Sequence, residues 1–205
     1  MRFQWLGAAL IVFFLTSCAR IYTSPDAERL ATKHKTIAVL PPNVSLPAKK
    51  NISADALELQ RKTESKQFQK DLTMWLVRRK MQGKIKPEVM DVETVNARLQ
   101  QAGFPDRNLS SEELCRAIGA DAYLVSDFSL SKPMSEGAAI AVGILFGAWG
   151  PTNEARVSLS MQDCNAGKHI WNYEHRFSGG IGSSSADLVD VLMRNASRKM
   201  PYKNK

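Results

Sequence analysis

The periodicity of the apolar residues changes several times along this chain, and the order of those changes restricts the fold more than any other feature. Lys35-Thr-Ile-Ala-Val-Leu40 is a short, β-branched apolar run stopped by Pro41-Pro42, the pattern of a buried central strand. Residues 43–53 read as a polar loop. From a cap at Ser53 a helix is expected to about Lys80, with Phe68, Leu72, Trp75 and Leu76 at i, i+4, i+7 and i+8 forming one apolar stripe. Its first half is polar and is expected to project into solvent. Gly83 stops it, and Pro87 confines any strand within 84–90 to an edge or an end.

Two short helices follow, one capped by Asp91 with Val92, Val95 and Leu99 inward, the other opened by the capping-box spacing of Ser110 and Glu113 and closed by Gly119. Residues 121–130 make a strand that is apolar on both faces near its start, as in the middle of a sheet. Residues 155–161 and 169–177 alternate cleanly around the turn-forming 163–167, which predicts a hairpin. Leu188, Val189, Leu192, Ala196 and Met200 predict a last helix from about Ser184. The fold class is therefore α/β, a mixed sheet with flanking helices and a C-terminal hairpin plus helix.

The N-terminus sets the address. Arg2 precedes an almost wholly apolar run from Leu6 to Leu15, the build of a secretory signal. It is too short to span a bilayer, which takes about 20 apolar residues. Leu15-Thr16-Ser17-Cys18 resembles the lipobox of bacterial lipoproteins. That resemblance implies cleavage before Cys18 and acylation of Cys18 with palmitate-type chains. Ala19 follows the cysteine, and in enteric-type lipoproteins the lack of an Asp there implies an outer-membrane address facing the periplasm. Residues 1–17 are then the signal peptide, 18–34 the lipidated N-terminus and a tether without steady periodicity, and 35–205 a single α/β domain.

The formal charge is +8. Behind a lipid anchor this basic balance points to anionic headgroups, anionic glycans or an acidic protein surface, and not to nucleic acid. With Cys18 acylated, Cys115 and Cys164 remain as an even pair. They are open to bridging in a compartment that permits disulfides, or Cys115 is a buried free thiol of its short helix.

The strand Ile37-Ala-Val-Leu-Pro-Pro42 before a long helix, then Gly119-Ala-Asp-Ala-Tyr-Leu-Val125, then Gly167-Lys-His-Ile-Trp171 in a hairpin form a series. Behind a lipobox, this series resembles periplasmic lipoproteins with the TolB N-terminal-like α/β fold. These are the CsgG/LpoB group and related small neisserial lipoproteins of unknown role. The resemblance covers roughly residues 35–200 and implies an envelope accessory protein that works by binding proteins or by forming homo-oligomers. It departs from CsgG in having no pair of long alternating insertions able to build a transmembrane barrel.

Catalytic chemistry finds little footing. His34, His169 and His175 are the only histidines, with no metal-binding spacing, no Gly-x-Ser-x-Gly elbow and no implied cofactor. His169 and His175 would share a strand face about 20 Å apart, too far for one metal. Gly179–Gly182 precedes a helix but lacks the lysine of a phosphate loop.

Two segments carry the binding hypotheses. Lys62, Lys66 and Lys70 recur every fourth residue and share one helical face, either a solvated surface or a docking face for an acidic partner. Residues 137–150 hold no charge, with glycines recurring at 143, 147 and 150 and with Ile140, Ile144, Phe146 and Trp149 among the large apolar members. This insertion folds over the sheet or contacts lipid or a neighbouring subunit. The expected function is a non-enzymatic, lipid-anchored periplasmic accessory protein acting by protein binding in envelope assembly or regulation. The alternative is an oligomeric secretion or transport component whose 137–150 segment contacts the membrane.

Overall fold

The computed structural model describes residues 19–50, 52–132, 134, 154–178 and 184–202. Cys18, Gly179–Gly182 and the whole of 137–150, including Ile140, Ile144, Phe146 and Trp149, lie outside the described residues. The strands are β1 (Arg20–Thr23), β2 (Thr36–Val39), β3 (Asn43–Ser45), β4 (Glu88–Val89), β5 (Ala122–Leu130), β6 (Glu154–Asp163) and β7 (Lys168–Ser178). The helices are α1 (Ala27–Ala31), α2 (Ala54–Met81), α3 (Val92–Gln101), α4 (Ser111–Ile118) and α5 (Ser185–Ala196).

One mixed sheet runs in the order β1-β7-β6-β5-β2-β4. β2 and β3 both pair in parallel with β5, Ile37 opposite Ala122 and Asn43 opposite Asp127, so they lie in line along it. Pro41 and Pro42 break that line because they have no N–H to give the ladder. β4 is a two-residue strand on the outer side of β2, where Pro87 confines it. β5, β6, β7 and β1 are antiparallel neighbours.

Apolar side chains cover both faces at the centre. On one, Phe68, Leu72 and Leu76 of α2 join Leu188 and Leu192 of α5 over Leu124, Phe128 and Leu159, with the Phe68 and Phe128 rings stacked 4.1 Å apart. On the other, Val95, Leu99 and Ile118 of α3 and α4 pack on Ala38, Leu40 and Tyr123. That second layer reaches only as far as Val125, and beyond it Asp127 and Ser129 face solvent. β5 therefore reads apolar on both faces at its start and alternating at its end.

Three sequence expectations are corrected. Residues 19–34 are not a tether. β1 pairs antiparallel with β7, Arg20 opposite Glu174 and Thr23 opposite Trp171, and Ala27, Leu30, Ala31 and His34 are buried. Asp26 fastens the segment to the hairpin through Lys168 Nζ at 2.7 Å, and Lys168 with the Ser24 hydroxyl lowers its carboxyl to about 2. β1 is held by backbone hydrogen bonds with its side chains exposed, so no hydrophobic period marks it. Residues 43–45, read as loop, form β3.

The first half of α2 does not project into solvent. Its inward stripe continues backwards from Phe68 as Glu64, Gln60 and Leu57, all buried. The carboxylate of Glu64 accepts the Met134 amide at 2.7 Å. One turn on, Gln69 donates to the Val39 carbonyl and to Asn96, both at 2.9 Å, and accepts from Asn96 Nδ2 at 3.0 Å. These bonds tie α2 to β2 and α3 and satisfy amides that would otherwise be costly to bury.

Candidate functional site

The described part of the fold brings three chemically distinctive groups together at the end of the sheet where β2 and β5 begin. Asp121, just ahead of β5, accepts the amides of Lys35 and Thr36 at 2.8 and 2.9 Å. Burial works against its charge, but those amides and the nearby His34 ring outweigh it and hold the carboxyl below its usual range. Cys164, in the turn after β6, bonds Cys115 of α4 with a Cα separation of 5.4 Å, and its amide donates to the Asp121 carbonyl. The bridge closes a span of 49 residues, worth about 4 kcal/mol in the chain-entropy account.

Beside it lies a buried relay. His34 Nε2 lies 2.7 Å from Asp163 Oδ2 and Nδ1 lies 2.6 Å from Tyr202 Oη, with the His34 and Asp163 side chains 0% and 1% exposed. The two ring nitrogens of His34 thus bridge a carboxylate on one side and a phenol hydroxyl on the other. The other Asp163 oxygen accepts the Ala166 amide at 2.5 Å and fixes the hairpin turn. Three distant parts of the chain, the end of α1, the tip of the hairpin and the segment after α5, are thus fastened by two hydrogen bonds.

The relay has the order of a carboxylate–histidine–hydroxyl triad but not its chemistry. Burial first, then the charges of Asp163 and Asp121, push the Tyr202 hydroxyl well above its ordinary value, the reverse of what a nucleophile needs. Its role is structural, and the shift gives a pH signature. A raised folded value means stability fully present below the unfolded tyrosine value and lost as pH rises beyond it. Denaturant titrations should show unfolding free energy falling above about pH 10, with a shallower fall in Tyr202→Phe. Tyr123 and Tyr173, also raised by burial, keep part of the slope. Identical alkaline slopes for parent and variant would contradict the buried hydroxyl.

The other histidines do not converge. A register shift between Met161 and Gln162 turns His169 towards Ser160, whose hydroxyl lies 2.9 Å from Nδ1. His175 lines up with Val157 between the rings of Tyr173 and Phe177, and burial lowers it. The expectation that both share a face is corrected by this bulge, which shifts the alternation by one residue. Among the described residues no group of three or more His, Cys, Asp or Glu side chains could hold a metal ion, and no helix is long and apolar enough to cross a membrane.

Lys62, Lys66 and Lys70 are exposed on one side of α2. Lys62 sits 3.8 Å from Glu58, as does Arg61 at 3.7 Å. Lys62 and Lys66 rim an open groove of about 1120 Å³ whose walls include Pro41, Pro42, Asn96 and Phe104, while Lys70 lies outside its lining. It is an open trough between α2 and the 104–108 loop, whose lining also carries Arg61, Glu58 and Asp106.

No family model and no curated protein matches the chain. Among solved structures it is similar to the lipoprotein GNA1162 from Neisseria meningitidis, with 14% identity and a TM-score of 0.42 over 80% of this chain and 96% of that one. It is also similar to the PelC dodecamer from Paraburkholderia phytofirmans (12% identity, TM-score 0.39, 92% of this chain and 98% of that one). The C-terminal domain of LpoB from Salmonella enterica gives 16% identity and a TM-score of 0.37 over 74% of this chain and 94% of that one.

Proposed function

We propose that the chain is a non-enzymatic, lipid-anchored periplasmic accessory protein that works by binding another envelope protein. In this reading Cys18 is the acylated anchor, Ala19 directs the protein to the outer membrane, and the Lys62/Lys66/Lys70 face receives an acidic segment of the partner. The observation that carries it is the exposed lysine face bordering the groove beside Pro41 and Pro42. The Cys115–Cys164 bridge supports an oxidising compartment such as the periplasm.

Reversing Lys62, Lys66 and Lys70 to Glu should leave the thermal midpoint nearly unchanged, because exposed charges contribute little to folding. The same variant should lower recovery of the co-purifying partner by about tenfold at low salt and remove the salt sensitivity of that recovery. Unchanged recovery would make this face an ordinary solvated helix surface.

A second reading, in which 137–150 contacts the membrane or a neighbouring copy, has its own support. The chain enters β1 from the Ser178 side of β7, and Leu130 at the end of β5 and Glu154 at the start of β6 lie at that same end of the sheet. The anchor and the insertion would then leave the domain in one direction.

A further inference from the structure

A second cationic feature lies apart from the α2 lysine face. Where α2 and α5 end, they leave an open cleft of about 760 Å³. Its floor is built from Trp75, Leu76, Ile85, Met200 and Tyr202, all buried. Its walls carry Arg79, Lys84, Arg194 and Arg198.

Charge accounting sets the cleft apart from an ordinary helix end. Cations in a last helical turn are expected opposite the helix dipole, which accounts for Arg79 on α2 and Arg194 on α5. Lys84 and Arg198 lie beyond both helix ends, yet they turn into the same space. Asp190 pairs with Arg194, which together with the Trp75 indole holds it below its usual range. Among the described residues no carboxylate lies within salt-bridge distance of Arg79, Lys84 or Arg198. The Arg79 guanidinium lies over the Trp75 ring, 4.4 Å from its centroid, so its fork is set in place before any ligand arrives. The Tyr202 hydroxyl is engaged with His34.

We propose that this cleft binds a phosphate monoester carried on a short apolar chain. Arg79, Arg198, Lys84 and Arg194 take the phosphate, and Trp75, Ile85 and Met200 take the apolar part. A phosphate monoester suits the uncompensated cations better than a carboxylate, because it brings close to two charges and three acceptor oxygens to guanidinium forks. The buried floor explains why a purely hydrophilic anion would leave part of the site unused.

Isothermal titration of the Cys18→Ala chain, which lacks the acyl anchor, tests this with octyl phosphate, inorganic phosphate and neutral octyl glucoside, and sedimentation of the same chain tests it with vesicles containing phosphatidic acid. Octyl phosphate should bind saturably and at least tenfold more tightly than inorganic phosphate, and octyl glucoside should not bind. Arg79→Gln with Arg198→Gln should weaken binding at least tenfold. The single Lys84→Gln, at an exposed site, should weaken it by a smaller factor and serves if the double variant fails to fold. Vesicle binding lost in the variants marks a lipid headgroup as the source. Octyl phosphate binding without vesicle binding marks a soluble phosphate ester. Equal affinity for octyl and inorganic phosphate, binding of octyl glucoside, or unchanged affinity in Lys84→Gln and the double variant would overturn the proposal.

Discussion

His34→Ala should destabilise the domain by about 3–5 kcal/mol, because it removes the hydrogen-bond partner of a buried carboxylate and leaves that carboxylate uncompensated. Asp163 would lose its Nε2 partner at 2.7 Å, and Tyr202 would lose its Nδ1 partner at 2.6 Å. The cavity left by the imidazole adds to the cost. In a domain of this size each kcal/mol moves the thermal midpoint by about 2–4 °C, so the variant should melt on the order of 10 °C lower. Asp163→Asn should cost less, since an amide at that position still gives Nε2 a hydrogen-bond partner while the negative charge is gone. Urea and thermal denaturation read both values. A midpoint for His34→Ala within about 2 °C of the parent would show that the relay does not fasten the two ends of the chain.

Cys18→Ala should move the protein almost entirely from the membrane to the soluble fraction. One acyl chain binds a bilayer only marginally and reversibly, whereas two or three hold it in place, so an anchor built on one cysteine is lost as a whole when that cysteine is replaced. Cys115 cannot substitute, because it follows Leu114 in α4 with no small-residue lipobox before it and its sulfur is committed to Cys164. The domain itself should keep its midpoint. Continued incorporation of labelled fatty acid, or retention of the variant in the membrane after carbonate washing, would remove the anchor from the proposed function.

Much of the fold was legible where a local signal and a hydrophobic period agree. Asp91 accepts the Thr94 amide at 2.7 Å, Ser110 and Glu113 complete the reciprocal capping box, and Gly119 ends α4 in the left-handed region at φ 66°. At each of these places the sequence carries both the apolar stripe and the residue that stops it. β1 lacked any such signal, being an exposed edge strand defined by its partner. The inward stripe of α2 was readable further back than its apolar residues suggested. Continuing the spacing from Phe68 gives Glu64 and Gln60, and it is the polarity of these two that hides the burial.

The residues at the sites were legible in proportion to how local they are. The lysine face follows from spacing along one helix, and the structure leaves all three side chains exposed while bringing only Lys62 and Lys66 to the groove. The relay joins residues 129 and 168 positions apart, and no local pattern marks His34 as the partner of either. The basic cleft combines the end of α2, the 83–85 turn and the end of α5, stretches that lie more than a hundred residues apart at the extremes and share no local pattern. The bulge that separates His169 from His175 falls in a run whose alternation looks unbroken until it is paired with β6.

Intact-mass analysis of the native protein extracted from membranes tests most directly whether this domain works while held at a membrane by Cys18. The expected species begins at Cys18, lacks residues 1–17, and is heavier than the cleaved polypeptide by a diacylglyceryl group, with or without a third acyl chain on the new N-terminus. It should also be two hydrogens lighter for the Cys115–Cys164 bridge. A soluble species with unmodified Cys18, cleaved elsewhere or not at all, would contradict the anchor and with it the proposed place of action.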